Sequence, residues 1–414
     1  MTVPFSLTPL LQYIEQQQSS NIPISVYYYD LDHLAQRIRW ITDNLPPQVQ
    51  FYYAIKANSD APVLDTLAPH VHGFEVASLG EVRQVRNASP ATPLAFGGPG
   101  KTPVELEGAL DAGVELYHIE SRLQLVRLNT LAAESGKVVK VLLRVNPRFD
   151  LPDATLQMAG KPTQFGIDQT QIGDLLESLP TYSNIRCVGF HFHALSNNLD
   201  ASSHLLLVHS YVEVVRAWQR EYDLAIEVLN IGGGIGINYT PGGIQFDWRR
   251  FCQELEYYLE REEVGFKLAM ECGRFVTATM GCYVTEVTDV KISHDEHFAI
   301  LRGGSHHFRL PSSWQHNHPF QVLPTERWNW PCPRPGVSAQ SVTLCGELCT
   351  PKDVLAKGVT VEKLRAGDVV LFEKAGAYGW HISHHDFLSH PHPDRIYRQG
   401  SEQERRLIEN WSIA

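Results

Sequence analysis

A (β/α)8 barrel followed by a β-rich domain is the α/β fold that this sequence predicts, and three observations carry it. Eight short apolar runs bounded by Gly, Asn or Asp lie between residues 50 and 271. Helix-period segments separate them, as parallel strands require, and right-handed crossovers close such a series into a ring. From about residue 276 the texture changes to strand-rich sequence punctuated by Gly and Pro. An open doubly wound sheet is the rival that periodicity alone leaves standing.

The runs, in order, are QFYYAI (50–55), VHGFEV (71–76), TPLAF (92–96), VELYHI (114–119), VVKVLLRV (138–145), RCVGFHF (186–192), IEVLNI (226–231) and FKLAME (266–271). Between them TPVELEGALDAG, SRLQLVRLNTLAAESG and FDWRRFCQELEYYLEREE read as helices, the last two with apolar positions three and four apart. Further strands are expected in CYVTEVTDVKI, HFAILRGG, SVTLCGELC and DVVLFEKAGAY. The barrel is therefore expected over 26–275 and the β domain over 276–414, with residues 1–25 grouped with the β domain.

The 414 residues, 43% of them hydrophobic, suffice for one large and one smaller core. Lys plus Arg number 35 against 46 Asp plus Glu, a net charge of −11, which removes nucleic acid and anionic membranes from the expected partners. No window approaches 18 consecutive apolar residues, and MTVPFSLTPLLQYIEQQQ lacks the basic and apolar regions of a secretory leader. A cytoplasmic location is expected. The seven cysteines, an odd number, suit reduced thiols better than a disulfide frame.

Barrel enzymes carry their chemistry at the carboxyl ends of the strands. There this sequence places Lys56, Glu75, Gly97 and Gly98, Arg144 and Asn146, His191 and His193, Gly232, Gly233 and Gly234, then Glu271 with Gly273 and Arg274. A partly desolvated Lys56 behind YYAI has an amine suited to a Schiff base, though a surface lysine opening a loop is the plain alternative. IGGGIG and the Gly273–Arg274 pair offer backbone N–H groups after strands seven and eight, where this fold holds phosphate. Glu271 closes an apolar strand, either as a structural carboxylate or as the partner of a buried cation such as a pyridinium.

Apart from Gly97 and Gly98, these residues lie in nine ordered motifs: YYAIKAN, FEVASLGE, LRVNP, QFGI, GFHFHALS, NIGGGIG, ECGR, CGELCTPKD and GAYG. In that order they resemble the fold-type-III pyridoxal phosphate (PLP) decarboxylases, the family of diaminopimelate, ornithine and biosynthetic arginine decarboxylases. The resemblance implies an alanine racemase-like barrel with a β-sandwich or barrel domain, and a homodimer with shared active sites. It makes Lys56 the cofactor-bearing lysine, His193 the ring-stacking imidazole and Glu271 the carboxylate on the pyridine nitrogen. Ser196, Gly234, Gly273, Arg274 and Tyr378 match phosphate contacts, and Glu75, Arg144 and Gly233 join the cofactor set. Cys349 matches a catalytic thiol contributed across the dimer, and Asp353 a contact to a substrate amine.

Departures narrow the substrate. Cys272 stands for a usual Pro and Leu195 for a frequent Gly. Thr350 replaces the acidic residue that holds the distal amine of diamino substrates. Arg309, His306 and His307 suit carboxylates, and burying a bare ammonium beside a neutral Thr350 costs several kcal/mol. The expected reaction is decarboxylation of an L-amino acid with an acylated or carboxylated far end, such as the citryl conjugate of 2,3-diaminopropionate handled by siderophore-pathway members. Diaminopimelate, ornithine or carboxynorspermidine decarboxylation are the alternatives, and then an amino-acid racemase or a non-catalytic PLP carrier. The histidines of HISHHDFLSHPHP (His381, His384, His385, His390, His392) have spacings a zinc or nickel ion could use, but no metal is expected there.

Overall fold

The computed structural model of the chain describes residues 5–19, 22–149, 156–400 and 403–407. These form two compact units. One comprises Gln36–Asn238 and Ile244–Val276; the other comprises the described residues up to Ala35, Tyr239–Gly243, and those from Thr277 on.

In chain order the strands are β1 (Ser25–Asp30), β2 (Val49–Ala54), β3 (Gly73–Val76), β4 (Leu94–Phe96), β5 (Leu116–Ile119), β6 (Val139–Asn146), β7 (Ile185–His191), β8 (Val228–Asn230) and β9 (Lys267–Cys272). Strands β2 to β9 pair in parallel in the order β5-β4-β3-β2-β9-β8-β7-β6, and β5 also pairs with β6. That last pairing closes the ring, so the sheet is a barrel and the doubly wound alternative falls. Each of the eight apolar runs overlaps one of these strands, to within one residue at either end of the strand. Tyr52, Ala95, Leu116, Leu142, Val188 and Ala269 pack into one buried cluster. The crossover helices start where short polar side chains cap free N–H groups: Ser78, Thr102, Ser121 and Asp200 each accept from a first-turn amide. Thr102 and Glu105 complete a capping box.

The second unit is a mixed sheet. It continues with β10 (Gly281–Ser293), β11 (Glu296–Leu301), β12 (Phe320–Leu323), β13 (Gly336–Cys345), β14 (Val354–Arg365), β15 (Val369–Phe372), β16 (Asp394–Gln399) and β17 (Gln403–Leu407). Strand β1 lies inside it, antiparallel to β10 and parallel to β16. SVYYYD is buried at every position because both faces of the strand are covered, with Leu10, Tyr13 and Ile14 of the helix Thr8–Ser19 in the core on one side. The chain therefore changes unit inside the helix Leu31–Asp43, not at residue 26. No described helix is long and apolar enough to cross a membrane.

Candidate active site

Because β2 to β9 are parallel, their carboxyl ends share one face, and that face collects the polar residues of the barrel. The turn Ile55–Ala57 after β2 presents Lys56, whose side chain is 44% exposed. Its Nζ lies 2.9 Å and 3.2 Å from the two oxygens of the buried Glu75. Burial pushes the Glu75 carboxyl above the usual carboxylate range, against the pull of the Lys56 ammonium. The amine is thus anchored by a carboxylate yet open to a carbonyl reagent.

Glu271 is buried at the end of β9. Its Oε1 accepts the Asn230 amide at 2.6 Å and lies 3.4 Å from His118 Nε2; its Oε2 lies 3.4 Å from His191 Nε2. Burial holds both imidazoles far below their ordinary range, so they are neutral at pH 7. Arg144 donates to Glu120 at 2.8 Å and lies over the Phe165 ring, while the other Glu120 oxygen accepts from the Gly166 backbone at 3.0 Å. The guanidinium is thereby held as a fixed positive charge at the strand ends.

After β8 the glycine loop runs between neighbouring backbones with no space for side chains. A Cβ on Gly233 would lie 1.8 Å from the Glu271 carbonyl, and Gly234, at φ +82°, would place one 2.2 Å from the Leu195 carbonyl. Gly233 donates its N–H to His193 Nδ1 at 3.1 Å, which leaves the His193 proton on Nε2. Burial, with Arg144 and Lys56 nearby, keeps this imidazole neutral too. A flat neutral ring, a glycine cradle, a reachable lysine, and buried imidazoles with no hydrogen-bond partner among the described residues form a donor set that fits a phosphorylated aromatic aldehyde. Gly273, Ser196 and a buried Arg274 lie on the same barrel unit.

The remaining expected residues belong to the mixed-sheet unit. Cys349 is an exposed free thiol in the loop between β13 and β14. Asp353 differs from expectation: it is 2% exposed, and its oxygens accept the Ser305 N–H at 2.6 Å and the Leu348 N–H at 2.9 Å. It fastens the Cys349 loop to the Ser305 turn and does not present a free carboxylate. Thr350 Oγ1 accepts from Lys352 N inside the loop. His306 is wholly buried with Nε2 3.5 Å from Glu347, so it does not offer an open carboxylate contact. Arg309 is exposed and forms no ion pair among the described residues. Tyr378 holds φ +53°, a left-handed conformation that costs a non-glycine residue about 1 kcal/mol. In the histidine-rich stretch, His385 stacks on Trp380 at 3.6 Å, His392 pairs with Asp386, and His390 faces Glu347.

Sequence reasoning missed His118, Glu120 and Asn230. His118 is at the end of the fourth barrel strand, where the same strand-end rule points, and Asn230 closes the seventh.

The family described as the pyridoxal-dependent decarboxylase, pyridoxal binding domain, matches residues 31–278. A Staphylococcus aureus (strain NCTC 8325 / PS 47) protein, 2-[(L-alanin-3-ylcarbamoyl)methyl]-2-hydroxybutanedioate decarboxylase, is 46% identical over 385 residues, 93% of this chain and 96% of that protein. An L-glutamyl-[BtrI acyl-carrier protein] decarboxylase of Niallia circulans is 30% identical over 387 residues, 91% of this chain and 89% of that protein. The crystal structure of diaminopimelate decarboxylase from Helicobacter pylori complexed with L-lysine shares the fold, with a TM-score of 0.82 over 95% of both chains at 23% identity.

Proposed function

Since this chain belongs to the pyridoxal-dependent decarboxylase family and is a PLP-dependent carboxy-lyase, we propose that its substrate is an L-amino acid with an acylated, carboxylate-bearing far end. The S. aureus relative's name describes such a molecule, an alanine joined through C3 and an amide to a citrate skeleton, and a citryl amide of 2,3-diaminopropionate is the substrate proposed for this chain. The observation that carries the choice is the state of the Cys349 loop. Its two carboxylates are both engaged, Asp353 by backbone donors and Glu347 by Arg302; Thr350 is neutral; Arg309 is an exposed cation. A free distal ammonium finds little there, whereas carboxylates find Arg309.

Bound PLP supplies the electron sink that accepts the electron pair left when carbon dioxide departs. Lys56 holds the cofactor through its amine, with Glu75 beside it to take and return a proton at Nζ. Glu271 holds a proton on the ring nitrogen, and His193 covers one ring face. Ser196, Gly233, Gly234, Gly273, Arg274 and Tyr378 receive the phosphate. Cys349, contributed by a second copy of the chain in a homodimer, protonates Cα from Sγ. Incubating the holoenzyme with the citryl amide and measuring carbon dioxide against enantiomer exchange tests this. Stoichiometric carbon dioxide supports it, and exchange without carbon dioxide refutes it.

A further inference from the structure

Glu271 has more partners than one ion pair needs, and the role inferred for them rests on the reading that this carboxylate meets the cofactor's ring nitrogen. The Asn230 amide is fixed in orientation. Its Oδ1 accepts the Gly232 N–H at 2.8 Å, so Nδ2 must face Glu271 Oε1. The His118 and His191 rings are buried with centroids 4.2 Å apart, a spacing at which two imidazolium ions repel strongly in a dry site. That spacing excludes two charged rings, and burial holds each of them neutral, with one N–H. A carboxylate 3.4 Å from each Nε2 favours the tautomer with the proton on that atom. Among the described residues no nitrogen of either ring makes a hydrogen bond, and the polar approach each ring makes to Glu271 is the 3.4 Å contact from its Nε2.

We propose that Asn230, His118 and His191 are positioning residues that keep Glu271 ionised, the Asn230 amide through a hydrogen bond and the two imidazoles by setting Nε2 3.4 Å from its two oxygens. In a dry contact between a carboxylate and a pyridine-type nitrogen, the shared proton resides on the side whose partner is the better stabilised ion. With these three partners in place the carboxylate keeps its charge and the proton stays on the ring nitrogen. Without them the uncharged pair wins, and the proton moves to Glu271. The Gly232 link makes the glycine loop the support of this arrangement, so phosphate seating and ring protonation share one backbone.

The test loads the holoenzyme with cofactor carrying ¹⁵N at the ring nitrogen and reads protonation from the NMR shift. The variants are His118→Leu, His191→Leu and Asn230→Ala, with His118→Gln and His191→Gln as conservative replacements that retain an N–H. Wild type and the Gln variants should show a protonated nitrogen. The Leu and Ala variants should move toward the unprotonated shift, and their apoenzymes should bind the cofactor about ten-fold or more weakly. A protonated signal in every Leu and Ala variant overturns the proposal, as does a Gln variant that behaves like its Leu counterpart. An unprotonated nitrogen in wild type overturns instead the reading of Glu271 itself. If circular dichroism shows that a Leu variant has not folded, Asn230→Ala decides on the same signal.

Discussion

Asp353→Asn separates a loop fastener from a substrate contact. The wild-type carboxylate accepts two backbone N–H groups at 2.6 Å and 2.9 Å in a site that is 2% exposed. Asn keeps one acceptor and turns an NH2 toward the other N–H, so one charge-assisted hydrogen bond becomes a donor facing a donor. The side chain has little room to turn away, since a Cβ on Gly304 or Gly346 would already lie 2.5 Å or 2.2 Å from Asp353 Oδ2. A buried hydrogen bond to a charged group is worth about 1.5–3 kcal/mol, and the strained remainder brings the expected loss to about 2–3 kcal/mol. For a folding unit of this size that lowers Tm by roughly 5 °C or more. Thermal unfolding followed by circular dichroism reads the loss, and kcat should fall with it because Cys349 is in the same loop. An unchanged Tm, with KM raised only for amino acids bearing a distal amine, would show that Asp353 acts on substrate and would refute the reasoning.

Lys56→Ala should abolish the absorbance of protein-bound cofactor near about 420 nm; a protein that stays yellow after desalting contradicts the role of Lys56. Glu271→Gln should retain the cofactor yet lose about 10²-fold in kcat, since an amide cannot hold the ring nitrogen charged; activity within a few-fold of wild type makes Glu271 structural. Mixing Lys56→Ala with Cys349→Ala subunits should restore activity, because one of the two hybrid sites regains both groups. Demonstrated exchange without recovery places both groups in a single subunit's site.

The barrel was legible because its strands are buried on both faces and so read as continuous apolar runs. The same property hid β1. SVYYYD is as uniformly buried as any barrel strand, and only its pairing with Gly281–Ser293 and Asp394–Gln399, more than 250 residues on, assigns it to the mixed sheet. Strand β14 was not expected at all. Its pairing with β13 shifts register between Val342 and Cys345, and Gly358 turns to φ +62°, so the alternation of a half-buried strand is broken. At the site, Lys56, Glu75, His193 and Glu271 were legible from strand ends. Asn230, His118 and Glu120 were not, because their partners stand far off in sequence: Asn230 meets Glu271 across 41 residues and Glu120 meets Arg144 across 24. Nor does a strand of single letters reveal that His306 and Asp353 are sealed by the turns around them.

The substrate claim is decided most directly by kcat/KM for carbon dioxide release from the citryl amide of 2,3-diaminopropionate, measured beside ornithine, lysine and meso-diaminopimelate on the same holoenzyme. With Thr350 neutral, Asp353 engaged and Arg309 exposed, the citryl amide should lead each free diamino acid by about ten-fold or more, equivalent to about 1.4 kcal/mol of transition-state discrimination. A lead of that size for any of the three diamino acids would contradict the account.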